Sequence, residues 1–212
     1  MILYGSSMSP FVRKTLAFAA EKGIDLELQQ AGMGGGPPEF KLASPFGKMP
    51  GFKDGDFLLC DSTAIITYLE AIKPEPNLIP VEPKARARTI WFEEFSDTIL
   101  VACAGAIFFN RVVAPRFLGR PGDEDAAEKA HKEGLPPILD YLESIIPASG
   151  FLVEDRLTLA DIAVASPFVN LSHVSIAIDP ARYPKTKAYV EAILARPSYA
   201  GWVKQEKALL TA

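Results

Sequence analysis

Residue types that build metal sites and disulfide frameworks are scarce in this sequence. Only 2 cysteines and 2 histidines occur among its 212 residues. Cys60 and Cys103 lie far apart, with no CxxC pair and no cysteine–histidine cluster near either. This argues against a disulfide framework and a structural zinc site, and we expect no bound metal. Cysteine usage of this kind fits a reducing compartment, so we expect a cytoplasmic protein.

An excess of positive charge is missing as well. The 22 lysines and arginines are outnumbered by 26 acidic residues, which gives a net charge of −4 and a pI near 5.3. We therefore expect no nucleic-acid partner. The first residues show no basic segment followed by a long apolar one, and no secretory signal is predicted. The most apolar run, residues 99–109, is shorter than a bilayer span of about 20 residues, so we predict a buried helix and no membrane partner.

The composition is otherwise that of an ordinary globular protein, with 49% hydrophobic and 23% charged residues. A short apolar run ends at Gly5, Pro10 stands where a first-turn proline belongs, and Gly23 ends the helical spacing after it. The alternation in IDLELQQ predicts a second strand and hence a right-handed β-α-β unit with parallel strands. The loop that follows has room for a turn or two of helix. Asp54 and Gly55 then predict a tight hairpin before a third helix.

Proline-rich residues 77–84 are predicted to link this half, residues 1–76, to an all-helical half, residues 85–212. The first helix of the second half should bury one apolar face and turn Glu93 and Glu94 to solvent. The predicted face consists of Trp91, Phe95, Ile99, Ala102, Ala106 and Phe109.

Several polar residues are better explained by structure than by chemistry. Thr158 and Asp161 have the spacing of a capping box before an apolar run, which specifies a helix start. Cys60 ends an apolar strand, where a buried inert thiol is more usual than a nucleophile. His131 and His173 have no second histidine or cysteine nearby, so neither indicates a metal site.

Ser9 stands directly before the first predicted helix, and two interpretations compete for it. A serine before a proline-led helix is a favoured N-cap, which contributes about 1 kcal/mol to stability. Alternatively, its hydroxyl points at a ligand thiol, where it would donate to the thiolate and lower the thiol pKa. The N–H groups and dipole of a helix start favour an anion in the same place. The residues alone leave both interpretations open.

Two further positions in this half could meet a ligand. Met49-Pro50 precedes a strand, and its peptide bond is either an ordinary trans bond or one of the about 5–6% of X–Pro bonds that are cis. Asp61 and Ser62 open the third helix, where both are good N-cap residues. That helix start could instead hold a ligand carboxylate with Ser62, while Asp61 meets an amine.

The order of these elements resembles the cytosolic glutathione transferases over the whole chain. The segments SPFVRK, SPFGKMP, DSTAIITYLE and RLTLADIAVASPF are similar to motifs of that family at the expected positions. The resemblance implies an α/β N-terminal thioredoxin-like domain, in the order β-α-β-α-β-β-α, plus an all-α C-terminal helical bundle. It also implies glutathione as the co-substrate, attack on small electrophilic, largely apolar substrates, and a homodimer.

Single residues can be carried over from this resemblance. Ser9 matches the hydroxyl that activates glutathione in serine-type members, similar to the tau and zeta classes, and we expect a bacterial style of enzyme. Pro50 matches the family's cis-proline, and Met49 before it would pair its backbone with the cysteinyl part of glutathione. Tyr4, an alternative hydroxyl, is assigned to the first strand.

The resemblance also assigns the ends of the tripeptide. Asp61 and Ser62 match the acidic-Ser pair that grips the γ-glutamyl end, and Lys48 stands where a polar contact is common. The sequence departs from the family pattern in GMGGGPPEF, where Lys41 is the candidate for the glycyl carboxylate. The first-helix motif contains no cysteine, which argues against cysteine-type thiol transferase chemistry.

A second-substrate pocket is expected between the two domains, as is common for such sites. Phe108, Phe109 and Arg111 are candidates for its wall, although core packing and a solvated charge explain them equally well. The same fold could serve a non-catalytic binding or regulatory protein, or a glutathione-dependent isomerase or reductive dehalogenase. A disulfide reductase would need Cys60 or Cys103 at the glutathione sulfur.

Overall fold

The computed structural model describes residues 1–32 and 35–211 of the chain. Contacts between Cα atoms group these residues into two units. The first consists of Met1–Ile79 together with Pro197–Leu209, and the second is built on Pro80–Arg196. The last helix therefore belongs with the first unit, although the sequence pattern places it in the helical half.

Four short strands of the first unit form one mixed sheet in the order β2-β1-β3-β4. The strands are β1 (Ile2–Gly5), β2 (Glu27–Gln30), β3 (Gly51–Asp54) and β4 (Phe57–Cys60). β1 and β2 run parallel, whereas β3 is antiparallel to both β1 and β4. Gly55, at a φ of 56°, and Asp56 form the two-residue turn between β3 and β4, which confirms the predicted hairpin.

Three helices complete the predicted order β-α-β-α-β-β-α. They are α1 (Pro10–Glu21), α2 (Pro38–Ala43) and α3 (Ser62–Ile72). α1 and α2 start at prolines because a first-turn proline loses no hydrogen bond. Tyr4 lies in β1 as predicted and is 1% exposed. Other buried hydrophobic residues of this part include Leu3, Val12, Leu16, Phe18, Phe52, Ile65, Ile66 and Leu69.

The second unit is helical, as the sequence predicts. Its helices are α4 (Pro83–Glu94), α5 (Val101–Phe108), α6 (Glu124–Lys129), α7 (Leu135–Ile145), α8 (Leu159–His173) and α9 (Pro184–Leu194). α8 packs against α4, α5 and α9, and its residues from Leu159 to Leu171 are all buried. It is therefore the centre of this unit. α10 (Pro197–Thr211) follows and returns to the first unit.

The start of α8 has the predicted capping box. Oδ2 of Asp161 accepts hydrogen bonds from the backbone N–H and the hydroxyl of Thr158, at 2.9 and 3.2 Å. Oδ1 accepts from the N–H of Leu152 at 2.9 Å and from the hydroxyl of Tyr189 at 3.3 Å. The carboxyl is fully buried, and burial raises its pKa to about 6.

The predicted apolar face of the long helix after residue 83 is wrong in part. Three of its members are exposed, namely Trp91, Ile99 and Ala102. Glu93 is buried rather than exposed, whereas Glu94 faces solvent as predicted. The buried stripe of α4 includes the polar residues Thr89 and Glu93, which a search for apolar spacing overlooks. Beyond it, Phe95–Leu100 is π-helical, and its i→i+5 bonds shift the following residues away from a 3.6-residue spacing.

α4, α5 and the π-helical segments Phe95–Leu100 and Phe109–Phe117 follow one another without a break over Pro83–Phe117. By length and composition alone this helix could cross a membrane, which the short run at 99–109 did not suggest. A single helix of this kind is weak evidence, because core helices of globular proteins pass the same test. Here α4 and α5 pack against α8.

Candidate functional site

Three segments that stand out in the sequence meet at one edge of the sheet. Gly51, the first residue of β3, pairs with Tyr4 near the end of β1 and with Cys60 at the end of β4. The turn after β1, the Met49-Pro50 bond and residues 61–62 therefore lie at the same edge. α1 and α3 also start here, and a helix start presents free N–H groups and a positive dipole end. This edge is the candidate site.

Residues 6–9 form the turn that leads from β1 into α1. The N–H of Ser9 donates to the carbonyl of Ser6 at 2.9 Å. A Cβ on Gly5 would stand 2.5 Å from a methyl group of Val12, so β1 can end this close to α1 only at a glycine. A backbone hydrogen bond thus closes the turn, and Gly5 lets the end of β1 approach Val12 of α1 closely.

Ser9 occupies the N-cap position of α1, with φ −75° and ψ 125°. Its carbonyl accepts a hydrogen bond from the N–H of Arg13 at 2.9 Å. Its half-buried side chain makes no capping bond, and among the described residues the hydroxyl has no partner. Ser9 therefore caps the start of α1 through its backbone alone, which leaves the hydroxyl available to a ligand.

The Met49-Pro50 peptide bond is cis, as the resemblance implies. The side chain of Met49 is partly buried and packs against the hydrophobic cluster of Tyr4, Ala31, Phe40 and Ala43. Within the described part of the chain, neither the N–H nor the C=O of Met49 has a hydrogen-bond partner. Just before it, the hydroxyl of Ser44 donates to the carbonyl of Lys48 at 2.7 Å and closes the loop. A strand-like partner could therefore pair with the backbone of Met49.

Asp61 caps α3, which confirms the structural interpretation of this residue. Its Oδ1 accepts from the N–H groups of Thr63 and Ala64, at 2.9 and 3.1 Å, while Oδ2 has no partner among the residues described. Its φ of 78° and ψ of 128° are strained for a non-glycine residue, at a cost of about 1–3 kcal/mol. Ser62 beside it is 3% exposed, and its hydroxyl has no partner in the described chain either. Strain and unpaired polar groups of this kind are typical of ligand sites.

Both candidate lysines are exposed. Lys41 lies in the last turn of α2, and Lys48 lies in the loop between α2 and β3. Neither forms an ion pair with any residue that the structure describes. Met33 and Gly34, in the glycine-rich stretch, lie outside the described residues.

The three candidates for the second-substrate pocket are already engaged inside the second unit. Phe108 is 4% exposed, with its ring centroid 6.2 Å from that of His173. The guanidinium of Arg120 lies 5.6 Å from the ring centre of Phe109. Arg111 forms ion pairs of 2.6 and 2.9 Å with Glu124 and Glu128. These contacts favour packing and charge pairing, and a part in substrate binding stays a prediction.

The two cysteines differ in their surroundings. Cys103 is 9% exposed, its Sγ donates to the carbonyl of Ala130 at 3.2 Å, and burial raises the pKa of its thiol. Such a thiol is inert. Cys60 ends β4 and is half-buried. Within residues 1–32 and 35–211, no group of His, Cys, Asp and Glu side chains could hold a metal ion.

A buried ion pair behind the Ser9 turn is the feature that the sequence pattern does not reveal. Arg13, one helical turn after Ser9, binds Glu206 of α10 through two hydrogen bonds, at 3.0 and 2.9 Å. The local signal is an arginine among apolar residues in PFVRKTLAFAA. It cannot identify a partner 193 positions away.

Comparison with known proteins gives one family for both halves of the chain. Residues 3–77 match "Glutathione S-transferase, N-terminal domain", and residues 113–206 match "Glutathione S-transferase, C-terminal domain". The curated "Glutathione S-transferase" of Hyoscyamus muticus is 34% identical over 207 residues, covering 94% of this chain and 95% of that protein. "Glutathione S-transferase 3" of Zea mays is 32% identical over 207 residues, with 93% and 90% covered. The solved structure of glutathione S-transferase I from mais in complex with an atrazine glutathione conjugate has a TM-score of 0.83, 26% identity and 96% coverage of both chains.

Proposed function

The chain belongs to the glutathione S-transferase family and is a glutathione transferase, and we propose that Ser9 activates the glutathione thiol. The observation that carries this proposal is the Ser9 hydroxyl, which stands at the N-cap of α1 without a bond to the helix. From there a hydroxyl can donate to a thiolate above the helix start. On this basis we place the protein with serine-type members, similar to the tau and zeta classes. Its bacterial style stays a prediction, since the two curated relatives above come from plants.

The magnitudes are sufficient for this mechanism. A free thiol has a pKa of about 8.5, so only a few per cent of it is ionised at neutral pH. Lowering that pKa by about 2 units requires about 2.7 kcal/mol of extra stabilisation of the thiolate. A charge-assisted hydrogen bond contributes about 1.5–3 kcal/mol, and a helix N-terminus up to about 2 kcal/mol in a partly buried setting. Ionisation releases the thiol proton to solvent, and the thiolate then attacks an electrophilic carbon: the C–S bond of the thioether forms while the bond to the leaving group breaks, and the leaving group departs with that electron pair.

Glutathione binding is proposed for the residues gathered around Ser9. Oδ2 of Asp61 would meet the γ-glutamyl amine, and Ser62 with the start of α3 would hold the γ-glutamyl carboxylate. The backbone of Met49 would pair with the cysteinyl part, since it has no partner among the described residues. The remaining positions of the proposed glutathione site are Lys41, Lys48 and Pro50.

The second substrate is proposed to be a small, largely apolar electrophile. Phe108, Phe109 and Arg111 stay the proposed wall of its pocket. Phe109 is the more accessible of the two phenylalanines, because it is half-buried whereas Phe108 is buried. Replacing Phe109 by Ala should therefore raise KM for apolar electrophiles without changing the affinity for glutathione.

We also propose a homodimer in the cytoplasm. Dimers are typical of the family, and each unit has large apolar side chains in water. Phe46 of the first unit is 89% exposed, and Trp91 of the second is 49% exposed. Exposed apolar surface of this kind is typical of a face that a partner covers. Sedimentation equilibrium should therefore give the mass of two 23.0 kDa chains. The domain limits 1–76 and 85–212, with the linker 77–84 between them, stay part of this proposal.

A pH titration of thiolate absorbance for bound glutathione tests the role of Ser9. We expect a bound-thiol pKa well below the free value in the wild type and a return toward it in Ser9→Ala, because the donor to the sulfur is lost. Ser7→Ala is the matched control, since Ser7 lies in the same turn and is 6% exposed. It should leave the thiol pKa unchanged. Tight binding without a pKa shift in the wild type, or an unchanged pKa in Ser9→Ala, would refute thiol activation by Ser9.

A further inference from the structure

The ion pair behind the Ser9 turn is buried on both sides. Arg13 and Glu206 are each 0% exposed. Nε and Nη2 of Arg13 donate to Oε1 and Oε2 of Glu206, at 3.0 and 2.9 Å. A guanidinium without solvent needs such a partner, because an unpaired buried charge is strongly destabilising. The bidentate pair therefore fixes the side chain of Arg13 in one geometry.

Glu206 brings α10 alongside α1. Near the other end of the two helices, the hydroxyl of Ser198 donates to Oε1 of Glu21 at 2.6 Å. The two contacts are the same number of residues apart in both helices, with the early residue of one facing the late residue of the other. α1 and α10 therefore run antiparallel, and α10 supports α1 along the length that begins behind Ser9.

Arg13 also holds the backbone on both sides of Ser9. Its N–H donates to the carbonyl of Ser9 at 2.9 Å, and its Nη2 donates to the carbonyl of Met8 at 3.4 Å. The carbonyl of Met8 belongs to the peptide group that carries the N–H of Ser9. We infer that Arg13, held in place by Glu206, is a positioning residue that directs the Ser9 hydroxyl toward the glutathione sulfur.

The physical reason lies in how a serine hydroxyl is aimed. The oxygen turns about a single side-chain bond, so its reach depends on the direction of the Cα–Cβ bond, which the two flanking peptide groups set. The backbone N–H of residue 13 holds one of these groups whatever its side chain, and the guanidinium of Arg13 holds the other. A displacement of about 1 Å in a reacting group can cost about 10²-fold in rate. This inference rests on the proposed function of Ser9, because a positioning residue acts only through the group that it positions.

The pair variant Arg13→Met/Glu206→Met tests the inference. It removes both charges together, since removal of one partner would leave the other buried and unpaired. We expect it to bind glutathione but to raise the bound-thiol pKa by about one unit, which means about tenfold less thiolate at a pH below the pKa. In a Ser9→Ala background, the same pair replacement should add no further shift. Arg13→Lys is the second variant, because it keeps the charge opposite Glu206 and lacks the fork that reaches Met8; it should raise the thiol pKa as well.

Lys22→Met is the matched control. Lys22 ends the same helix, is 1% exposed and binds Glu70 at 2.6 Å. Its Nζ also donates to the carbonyl of Pro76 at 2.7 Å. This variant also loses a buried ion pair of the first unit. The pair lies at the C-terminal end of α1, whereas Ser9 lies at the N-terminal end. Its stability should fall while the bound-thiol pKa stays at the wild-type value.

The outcomes separate the two claims. A pKa shift that occurs in the Arg13 variants, is absent from Lys22→Met and disappears in the Ser9→Ala background supports the inference. An unchanged pKa in the pair variant, or in Arg13→Lys if the pair variant does not fold, overturns it and leaves the role of Ser9 intact. An equal shift in Lys22→Met or in the Ser9→Ala background also overturns it, because Arg13 would then act through general stability or through its own charge. If Ser9→Ala itself leaves the pKa unchanged, the proposed function fails instead.

Discussion

Asp161→Asn should change how the stability of the second unit depends on pH. The carboxyl of Asp161 is 0% exposed, and burial raises its pKa from 3.8 to about 6, although hydrogen bonds from Leu152, Thr158 and Tyr189 lower it. The folded chain therefore holds this proton more tightly than the unfolded chain does. The resulting stabilisation is complete below the unfolded pKa of 3.8 and is lost as the pH rises through about 6.

The size of the effect follows from the shift of the pKa. A difference of about two units corresponds to about 3 kcal/mol. Asparagine has nearly the same shape and no proton to lose. Between about pH 3 and about pH 7, the free energy of unfolding of the wild type should therefore fall by about 3 kcal/mol relative to Asp161→Asn. Urea unfolding followed by far-UV circular dichroism at closely spaced pH values measures this difference.

Ser96→Ala is the matched control for this titration. The hydroxyl of Ser96 donates to the carbonyl of Ala163 in α8 at 2.7 Å and does not titrate in this range. Its loss should cost about 1 kcal/mol at every pH. If the difference between the wild type and Asp161→Asn stays constant, or grows in favour of the wild type as the pH rises, the reasoning is refuted. The hydrogen bonds to the carboxylate would then outweigh its burial.

Two further pairs of substitutions test other parts of the fold. Asp61→Ala removes both capping bonds of α3, so urea unfolding should show a loss of about 1 kcal/mol and calorimetry a weaker affinity for glutathione. Asp61→Ser should recover the stability and not the affinity; recovery of both would contradict a role for the second carboxylate oxygen. Gly122→Ala would place a Cβ 1.8 Å from the carbonyl oxygen of Asn110, so we expect a clearly lower Tm. Gly201→Ala, with nothing within 4 Å of its Cβ in α10, should instead stabilise the protein by about 0.5–1 kcal/mol, and equal Tm values for the two variants would contradict the predicted clash.

The order of the elements could be predicted because each boundary has a local signal. Pro10 starts α1, Gly55 permits the positive φ of the hairpin turn, and Thr158 with Asp161 closes the capping box. Each of these signals depends on backbone geometry or on hydrogen bonds within a few residues, and a single sequence displays them. The edge where the site forms follows from the same short-range pattern.

Contacts between distant residues could not be predicted in this way. Glu93 is buried and Trp91 is exposed because tertiary neighbours decide which face of α4 is covered. The π-helical segment Phe95–Leu100 then shifts the spacing of the residues that follow it. At the candidate site, the sequence indicated which residue types are present. It did not show that the Ser9 hydroxyl makes no capping bond or that Asp61 adopts a φ of 78°. Both facts depend on how the surrounding backbone is held.

The ribosome makes α1 and α10, which pack together in the first unit, at widely separated times during translation. Arg13 is synthesised 193 residues before Glu206. At a synthesis rate of about 5–20 residues per second, Glu206 is made about 10–40 s after Arg13. During that interval the nascent chain already contains the strands and helices of the site, but the support behind Ser9 is missing. The first unit is therefore completed only after Pro80–Arg196, on which the second unit is built, have been made.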